Sequence, residues 1–541
     1  MKSRLVVWLA LGLILLGAAA MRLRLLDIPL DRDEGEYAYF AQLLLEGVPP
    51  YAAAYNLKAP GIYVAYSLIL ALFGQTTSGI HIGLIVVTSV ATILMFVLAR
   101  SLVGTTAGLV AAALYATQAV NPKILGFAAY AEHFVLLFVV AGSIVLRPLA
   151  PRRPPLRLVV GGFLFGLALL MKQSAAAFVL GGGLYLFLST PDDLAANEAA
   201  STGDGRIAPW PLRLRAAALF LGGAVAPLVL VCLWLLLAGT LGTFLFWSFV
   251  YGSNYSASLA ASVGNLGGRF VDVAPSSSVT LTLVVIGLVA LRRDRLRSRK
   301  IFVLLMAAAS CLGFAAGLHF RPQYCLLLLV PLAIMAAIGL DALRRLMPPH
   351  PNGLRTAVLV VLMIAALAQP IYASRDVLFQ LEPEQISRLI YGRNPFPESL
   401  PIARYIREHS QPRDRVAVVG SEPQIYFYAG RRSATGYIYT YPLMELQPYA
   451  ARMQQAMIRE IESADPRYVV FVRAAGSWLV RENSDTTIFG WFEQYQQSLK
   501  RVGVVDIPKR QETVYRWGDD AATYAPSSDV WLMIFERGRK P

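Results

Sequence analysis

Four carboxylates and one lysine mark the segment with the most chemistry in it. Asp31, Asp33, Glu34 and Glu36 occur together in Asp-Arg-Asp-Glu-Gly-Glu-Tyr, and Lys58 follows in Asn-Leu-Lys-Ala-Pro-Gly. Clustered carboxylates move protons in acid–base steps or hold a hard divalent cation through oxygen ligands, and a nearby lysine holds an anion such as phosphate. Further polar groups stand alone at the edges of later apolar runs: Tyr130, Glu132 and His133, then Lys172 and Gln173, then His319, Arg321, Gln323 and Tyr324. Ionisable groups at bilayer depth are costly and usually face a cavity or pathway. Together they define one candidate site, with Asp33, Glu34 and Glu132 as its acids and Lys58, Lys172 and Arg321 as its bases. Each position also has a plainer reading: a solvated acidic loop, a snorkelling Lys172, or His133 and His319 hydrogen-bonded at an interface.

The elements that must carry these residues are strongly apolar. The chain has 541 residues, of which 56% are hydrophobic and 15% charged, where a soluble domain carries roughly 25% charged residues. Mean hydropathy is +0.52, which excludes an ordinary soluble enzyme. Eleven apolar segments are read as spans: 5–21, 81–99, 105–120, 130–146, 158–171, 174–189, 216–241, 276–291, 301–318, 324–340 and 356–373. The fifth and sixth as one helix would measure about 48 Å, too long for a ~30 Å hydrocarbon core, so a turn is expected at Lys172 and Gln173. The stretch Gly61 to Gly74 is short for a span and is read as a re-entrant or interfacial helix. Counting it as a span would put the run Arg292 to Lys300 outside, against the positive-inside rule.

With the N-terminus cytoplasmic, the inner segments carry nineteen Lys and Arg and the outer loops of the membrane half carry eight. The net charge of +15 is therefore a topology signal and gives no support to a nucleic-acid partner. Lys2, Arg4, a Leu-rich run and Ala18 to Ala20 imitate a signal peptide, though an uncleaved first span is preferred. The chain divides into a membrane domain, 1–373, with a first outer loop at 22–80, and an extracytoplasmic domain, 374–541. In the latter, helical patterning at 402–409 and 444–463 alternates with apolar runs at 416–419, 468–472, 502–507, 513–517 and 530–535, the pattern of a small α/β domain.

Cys232, Cys311 and Cys325 lie inside apolar segments and form neither a disulfide framework nor a zinc motif. Glycine clusters at 181–183 and 264–268 lack the strand-to-helix context of a phosphate loop, and glycines in the spans are expected to permit close helix packing. Asn254-Tyr255-Ser256 matches a glycosylation sequon of low specificity. The aromatics Tyr426, Phe427, Tyr428, Tyr437, Tyr439 and Tyr441 are read chiefly as ordinary core and surface, with glycan contact as a second reading.

Asp33-Glu34-Gly35-Glu36-Tyr37, Leu45-Glu46-Gly47-Val48-Pro49-Pro50-Tyr51 and Lys58-Ala59-Pro60-Gly61 resemble the first extracytoplasmic loop of bacterial C-type glycosyltransferases, relatives of the aminoarabinose transferase of lipid A and of protein O-mannosyltransferases. Ala131-Glu132-His133, the segment Gly166 to Ser174, and His319 to Tyr324 extend the resemblance more loosely across most of 1–373. It implies a polytopic α-helical fold and a transferase using a polyprenyl-phosphate-linked sugar in the bacterial inner membrane, with a lipid, glycan or protein acceptor. By the same resemblance Asp33 lies at the reaction centre, Glu132 beside it, and Lys58 on the donor phosphate. Glu132 replaces a frequent Asp and Ala59 a frequent Pro.

On the residues themselves, Lys58, Arg321 and Lys172 are the phosphate-binding candidates, Asp33 is the candidate base, and Tyr37, His133, His319 and Tyr324 are candidate substrate contacts. Displacement by the acceptor would invert the anomeric carbon. Asp33, Glu34 and Glu132 could instead hold Mg2+ or Mn2+, and the residues leave that alternative open. The runner-up activity is a lipid-diphosphate-dependent oligosaccharide transferase or ligase. A transporter or flippase is disfavoured by the absence of an internal repeat and by charges that gather at the outer ends of spans. A membrane scaffold would leave the acids without a role.

Overall fold

The computed structural model describes residues 2–146, 154–188, 210–254, 258–294, 296–347 and 353–538. Arg147, Arg152, Arg153, Arg206 and Arg295 of the expected inner face, Ser189 and the sequon residues Tyr255 and Ser256 lie outside the described residues.

Each of the eleven apolar segments contains helix. The membrane half runs α1 (Lys2–Leu23), α2 (Arg32–Leu45), α3 (Gly61–Phe73), α4 (Thr77–Val103), α5 (Thr105–Gln118), α6 (Ala131–Leu146), α7 (Pro155–Met171) and α8 (Ala176–Leu188). Helices Trp210–Leu237, Leu259–Val273, Ser278–Arg292, Arg297–Phe314, Leu329–Leu346 and Leu354–Ala373 follow. Six of the described helices are long and apolar enough to cross a membrane by themselves. Ala18 to Ala20 continue α1 without a break, and Leu11 of α1 packs on Phe96 and Ala112.

Chain turns fall where the physics of the residues asks for them. Between α7 and α8, Lys172 is extended (φ −157°, ψ 133°) and a short 3-10 turn, Gln173–Ala175, restarts the helix. The ninth apolar segment leaves the α-helix at Phe314, earlier than expected, with Gly317 in the left-handed region at φ 69°. Small residues set the helix spacing. A Cβ on Gly162 would lie 1.9 Å from the Phe220 carbonyl, and one on Gly287 1.9 Å from that of Met335. Lipid-exposed helices have little hydrophobic force between them, so such backbone approach carries the packing.

Two segments expected to be loops are helical. Residues 32–45 form α2, capped by Asp31, whose side chain accepts from the Glu34 backbone N–H at 3.0 Å. Leu259–Val273 is an amphipathic helix with Val263, Phe270 and Val271 exposed. The short helix expected near Gly61 is α3, and its Tyr63 stacks on Phe40 of α2 at 3.9 Å.

The sheet is built from residues 415–536. It comprises β1 (Arg415–Val419), β2 (Arg432–Ser433), β3 (Tyr468–Arg473), β4 (Lys500–Asp506), β5 (Val514–Trp517) and β6 (Trp531–Glu536), in the order β2-β1-β3-β6-β4-β5. β2, β1 and β3 are parallel; the other pairings are antiparallel. The helix expected over 444–463 is two pieces, Tyr441–Met444 and Ala450–Ala464, on either side of Pro448.

This domain is not tethered loosely. Ser433 N–H donates to Tyr39 Oη at 2.7 Å and Leu30 N–H to Tyr428 Oη at 2.9 Å. Gly35 of α2 lies against the helix Gln424–Ala429, where a Cβ would meet Gln424 at 2.6 Å. One continuous apolar core joins α2, α3 and the sheet.

Candidate active site

Helical geometry in α2 sorts the four acids. Residues three apart share a face and adjacent residues do not, so Asp33 and Glu36 face one way and Asp31 and Glu34 another. On the first face, Lys58 Nζ donates to Asp33 Oδ1 at 2.8 Å and to Glu36 Oε2 at 2.5 Å. Glu36 Oε1 also accepts from Tyr63 Oη at 2.7 Å. The ammonium lies 4.8 Å from the Tyr37 ring and 5.6 Å from that of Tyr439. Tyr51 Oη holds the Lys58 carbonyl at 2.6 Å, and Gln173 Nε2 the Leu57 carbonyl at 2.5 Å, which fixes the loop bearing the lysine.

The second face is tied into the fold by hydrogen bonds, and of its two acids only Asp31 also reaches the cavity. Glu34 is buried and its Oε1 meets His81 Nε2 at 3.1 Å and the Ala129 backbone N–H at 2.7 Å. Asp31 pairs with Tyr130 Oη. Glu34 therefore ties α2 to α4 and to the turn before α6, and does not line the cavity. The expectation that it acts with Asp33 is corrected, because adjacent acids in a loop could converge while adjacent acids on a helix diverge.

Asp33 and Lys58 open on a cavity of about 750 Å3. Across it, Lys172 pairs with Glu132 and places Nζ 3.8 Å from the centroid of the Tyr324 ring. Arg321, Tyr324 and Tyr37 also line the space, so eleven of the expected residues meet there: Asp31, Asp33, Tyr37, Lys58, Tyr130, Glu132, Lys172, Gln173, Arg321, Gln323 and Tyr324. His133 and His319 do not line it. His133 is buried with Nε2 on the Gly126 carbonyl at 3.1 Å, so it holds the turn before α6. His319 is half-buried; partial burial, with Arg321 and Arg481 nearby, lowers its pKa to about 4, which keeps it neutral.

Several lining residues were not expected at the site: Lys123, Arg269 and Asp272 of the membrane half and Asn394 of the outer one, while Tyr439 and Tyr441, read chiefly as core and surface, also line it. Arg269 and Asp272 are three positions apart on one face of an amphipathic helix, a periodic signal that was present in the sequence.

Charge in the site is paired and unequal. Burial would raise Asp33, but Lys58 first, then Lys172 and Arg321, hold it below the ordinary carboxylate value, so it is ionised. Glu36 goes the other way: burial outweighs Lys58 and pushes it up to about 7. Lys58 stays protonated, since Asp33 and Glu36 overcome its burial. The trio Asp33, Glu34 and Glu132 does not converge as a cation site, each acid having its own basic partner. Among the described residues no group of three or more His, Cys, Asp or Glu is placed to hold a metal ion.

The structure of ArnT from Cupriavidus metallidurans in the apo state matches with a TM-score of 0.57 at 15% identity, covering 98% of this chain and 99% of that one. The fold is that of the C-type glycosyltransferases. ArnT bound to undecaprenyl phosphate matches with a TM-score of 0.55 at 16% identity, over 85% of this chain and 92% of that one. The archaeal oligosaccharyltransferase AglB from Archaeoglobus fulgidus, solved with an inhibitory peptide and a dolichol-phosphate, matches with a TM-score of 0.54 at 12% identity, over 94% of this chain and 74% of that one. By sequence, residues 57–200 match the family model of dolichyl-phosphate-mannose-protein mannosyltransferase. No curated protein matches by sequence. Family model and fold agree on one enzyme class, the membrane glycosyltransferases that draw on a lipid-linked sugar. In this fold α2 and the Lys58 loop lie side by side and share the cavity.

Proposed function

We propose that the protein is a membrane glycosyltransferase that moves a sugar from polyprenyl phosphate to an acceptor hydroxyl at the outer face of a bacterial inner membrane. The observation that carries this reading is the ion pair of Asp33 and Lys58 at 2.8 Å, open to a cavity that Lys172 and Arg321 also line. In the reaction the acceptor oxygen attacks the anomeric carbon while its proton passes to Asp33. The bond from the anomeric carbon to the phosphate oxygen breaks, and the electron pair leaves on polyprenyl phosphate. A phosphate is already a good leaving group, so the demand is for positive charge rather than for an acid. Lys58, Lys172 and Arg321 supply it, with a bidentate fork available from the arginine. A single displacement inverts the anomeric centre. Glu132 keeps Lys172 over Tyr324.

The outer placement rests on the distribution of arginine and lysine. Labelling of Ser484→Cys but not Arg293→Cys by an impermeant thiol reagent on intact spheroplasts is the expected result, and the reverse would overturn it. For activity, membranes carrying wild type, Asp33→Asn or Lys58→Ala are given radiolabelled polyprenyl-phosphate sugars. Transfer by the wild type alone is expected. Equal transfer by all three would remove the site, and accumulation of label in vesicles without transfer would mean transport. Transfer only from a lipid-diphosphate oligosaccharide would mean the oligosaccharide transferase reading.

A further inference from the structure

The loop that follows β2 carries part of the outer domain into the cavity. On its near side, Tyr55 N–H donates to the Gly436 carbonyl at 2.7 Å, and a Cβ on Gly436 would lie 2.2 Å from the Tyr55 ring. On its far side, Thr440 N–H donates to Ser421 Oγ at 2.9 Å, Thr440 Oγ1 to the Ser477 carbonyl at 2.9 Å, and Tyr441 Oη to the Gly476 carbonyl at 2.7 Å. The loop is thus clamped at both ends, and Tyr439 projects between the clamps.

Tyr439 Oη donates to Asp33 Oδ1 at 3.1 Å, across 406 residues of chain. Lys58 Nζ donates to that same oxygen at 2.8 Å. Among the described residues both donors go to Oδ1 and none to Oδ2. The Asp33 side chain is 27% exposed and lines the cavity. A carboxylate held by one donor can swing about its last bond; two donors on one oxygen, from different directions, leave a single orientation.

We propose that Tyr439 is a positioning residue for the transfer reaction: with Lys58 it commits Oδ1 of Asp33, so that Oδ2 is the atom that takes the acceptor's proton. This rests on the transferase reading and adds a part to it, because the catalytic carboxylate of the membrane half is then completed by the sheet domain. Burial, followed by the charges of Asp33 and Glu36, raises the Tyr439 phenol well above its ordinary value, so it remains a donor throughout the working range. The groups that set the titration of Asp33 are Lys58, Lys172 and Arg321 from other segments and Asp31 and Glu36 from its own.

The test is Tyr439→Phe in the full-length protein in lipid nanodiscs, which keeps the ring and removes the hydroxyl. Hydrogen bonds to charged groups are the stronger kind, and losing one is expected to lower kcat about ten-fold with the donor KM within about two-fold. The acid limb of the pH–rate profile should move up by about one pH unit. Infrared pH-difference spectra, in which the Asp33 band is the carboxylate signal absent from Asp33→Asn, follow that titration with no substrate present. They should show the same upward move. An unmoved Asp33 titration in Tyr439→Phe overturns the proposal, whether turnover is unchanged or falls together with the folded fraction. A wild type that transfers no sugar removes the transferase reading and with it the proposal for Oδ2, while the spectra still decide whether Tyr439 governs Asp33.

Discussion

Arg32, at the start of α2, donates from Nη2 to Glu422 Oε1 of the sheet domain at 2.6 Å, and both side chains are buried. The same guanidinium donates to the Ser421 carbonyl at 2.8 Å and to Asn394 Oδ1 at 2.8 Å. The residue next to Asp33 is thus the bolt between the two halves of the molecule.

Arg32→Met should cost about 3–5 kcal/mol, because it strands Glu422 in a buried site. Thermal unfolding in detergent measures it. The double variant Arg32→Met/Glu422→Met should regain most of that loss, since a buried ion pair replaced by apolar groups of similar volume is close to neutral. Equal loss in the single and double variants would show that the pair is not what holds the domain.

Lys58→Met should lower kcat/KM by about a hundred-fold or more, as expected for the loss of a cation aimed at developing phosphate charge. Lys58→Arg should not restore it. Two carboxylates and the rings of Tyr37 and Tyr439 surround a compact ammonium, and an arginine presents its donors in a fixed planar fork instead of at a point. Steady-state transfer from a labelled donor separates the two variants.

Glu34→Gln and Asp33→Asn, one position apart, should behave in opposite ways. Glu34→Gln is expected to lose about 1–3 kcal/mol of stability, as for a buried group whose partners are mismatched, while turnover per folded molecule stays within about three-fold of wild type. Asp33→Asn should keep its fold and lose about a hundred-fold or more in turnover. Scoring rates against the folded fraction by size-exclusion chromatography distinguishes them.

Stability should fall as pH rises from about 4 to 8 through Asp31. Burial, with Asp33 and Glu34 close by, raises its carboxyl to about 8 from an ordinary value of 3.8. Between those values the folded protein binds more protons than the unfolded chain, so each rise in pH favours unfolding. Glu36, raised to about 7, acts in the same direction, whereas the lowered Asp33 contributes stability that is lost only as pH falls below about 4. Asp31→Asn keeps the oxygen that caps α2 and removes the charge. Its melting temperature should therefore decline less between pH 5 and pH 8 than that of the wild type.

Local pattern made much of this molecule legible. The apolar runs predict the helices because burial or lipid contact requires their composition whatever the partner. The turn at Lys172 follows from a length that no single span accommodates. Lys58, Lys172, Arg321 and Glu132 stood out as candidates because a charge at the edge of an apolar run has few other places to go, and all four line one cavity. Two expectations failed for one reason. Residues 32–45 lack a continuous apolar stripe and read as loop, yet they are helix because the sheet domain and α3 bury nearly every side of them. Once helical, the segment turns Glu34 away from Asp33, and no count of acids in the sequence contains that phase.

The sequence by itself determined that the chain is membrane-embedded, which ends of its helices carry charge, and which residues form a pool of acids and bases. These follow from composition and spacing over a few turns of helix. Only the tertiary structure decided which acids of α2 face the cavity and which oxygen of Asp33 accepts the donors, because both depend on contacts such as Tyr439 to Asp33. A hydrogen bond spanning 406 residues leaves no trace in local periodicity: it exists only when two separately folded surfaces are pressed together, and here Arg32, Glu422 and Gly35 do the pressing.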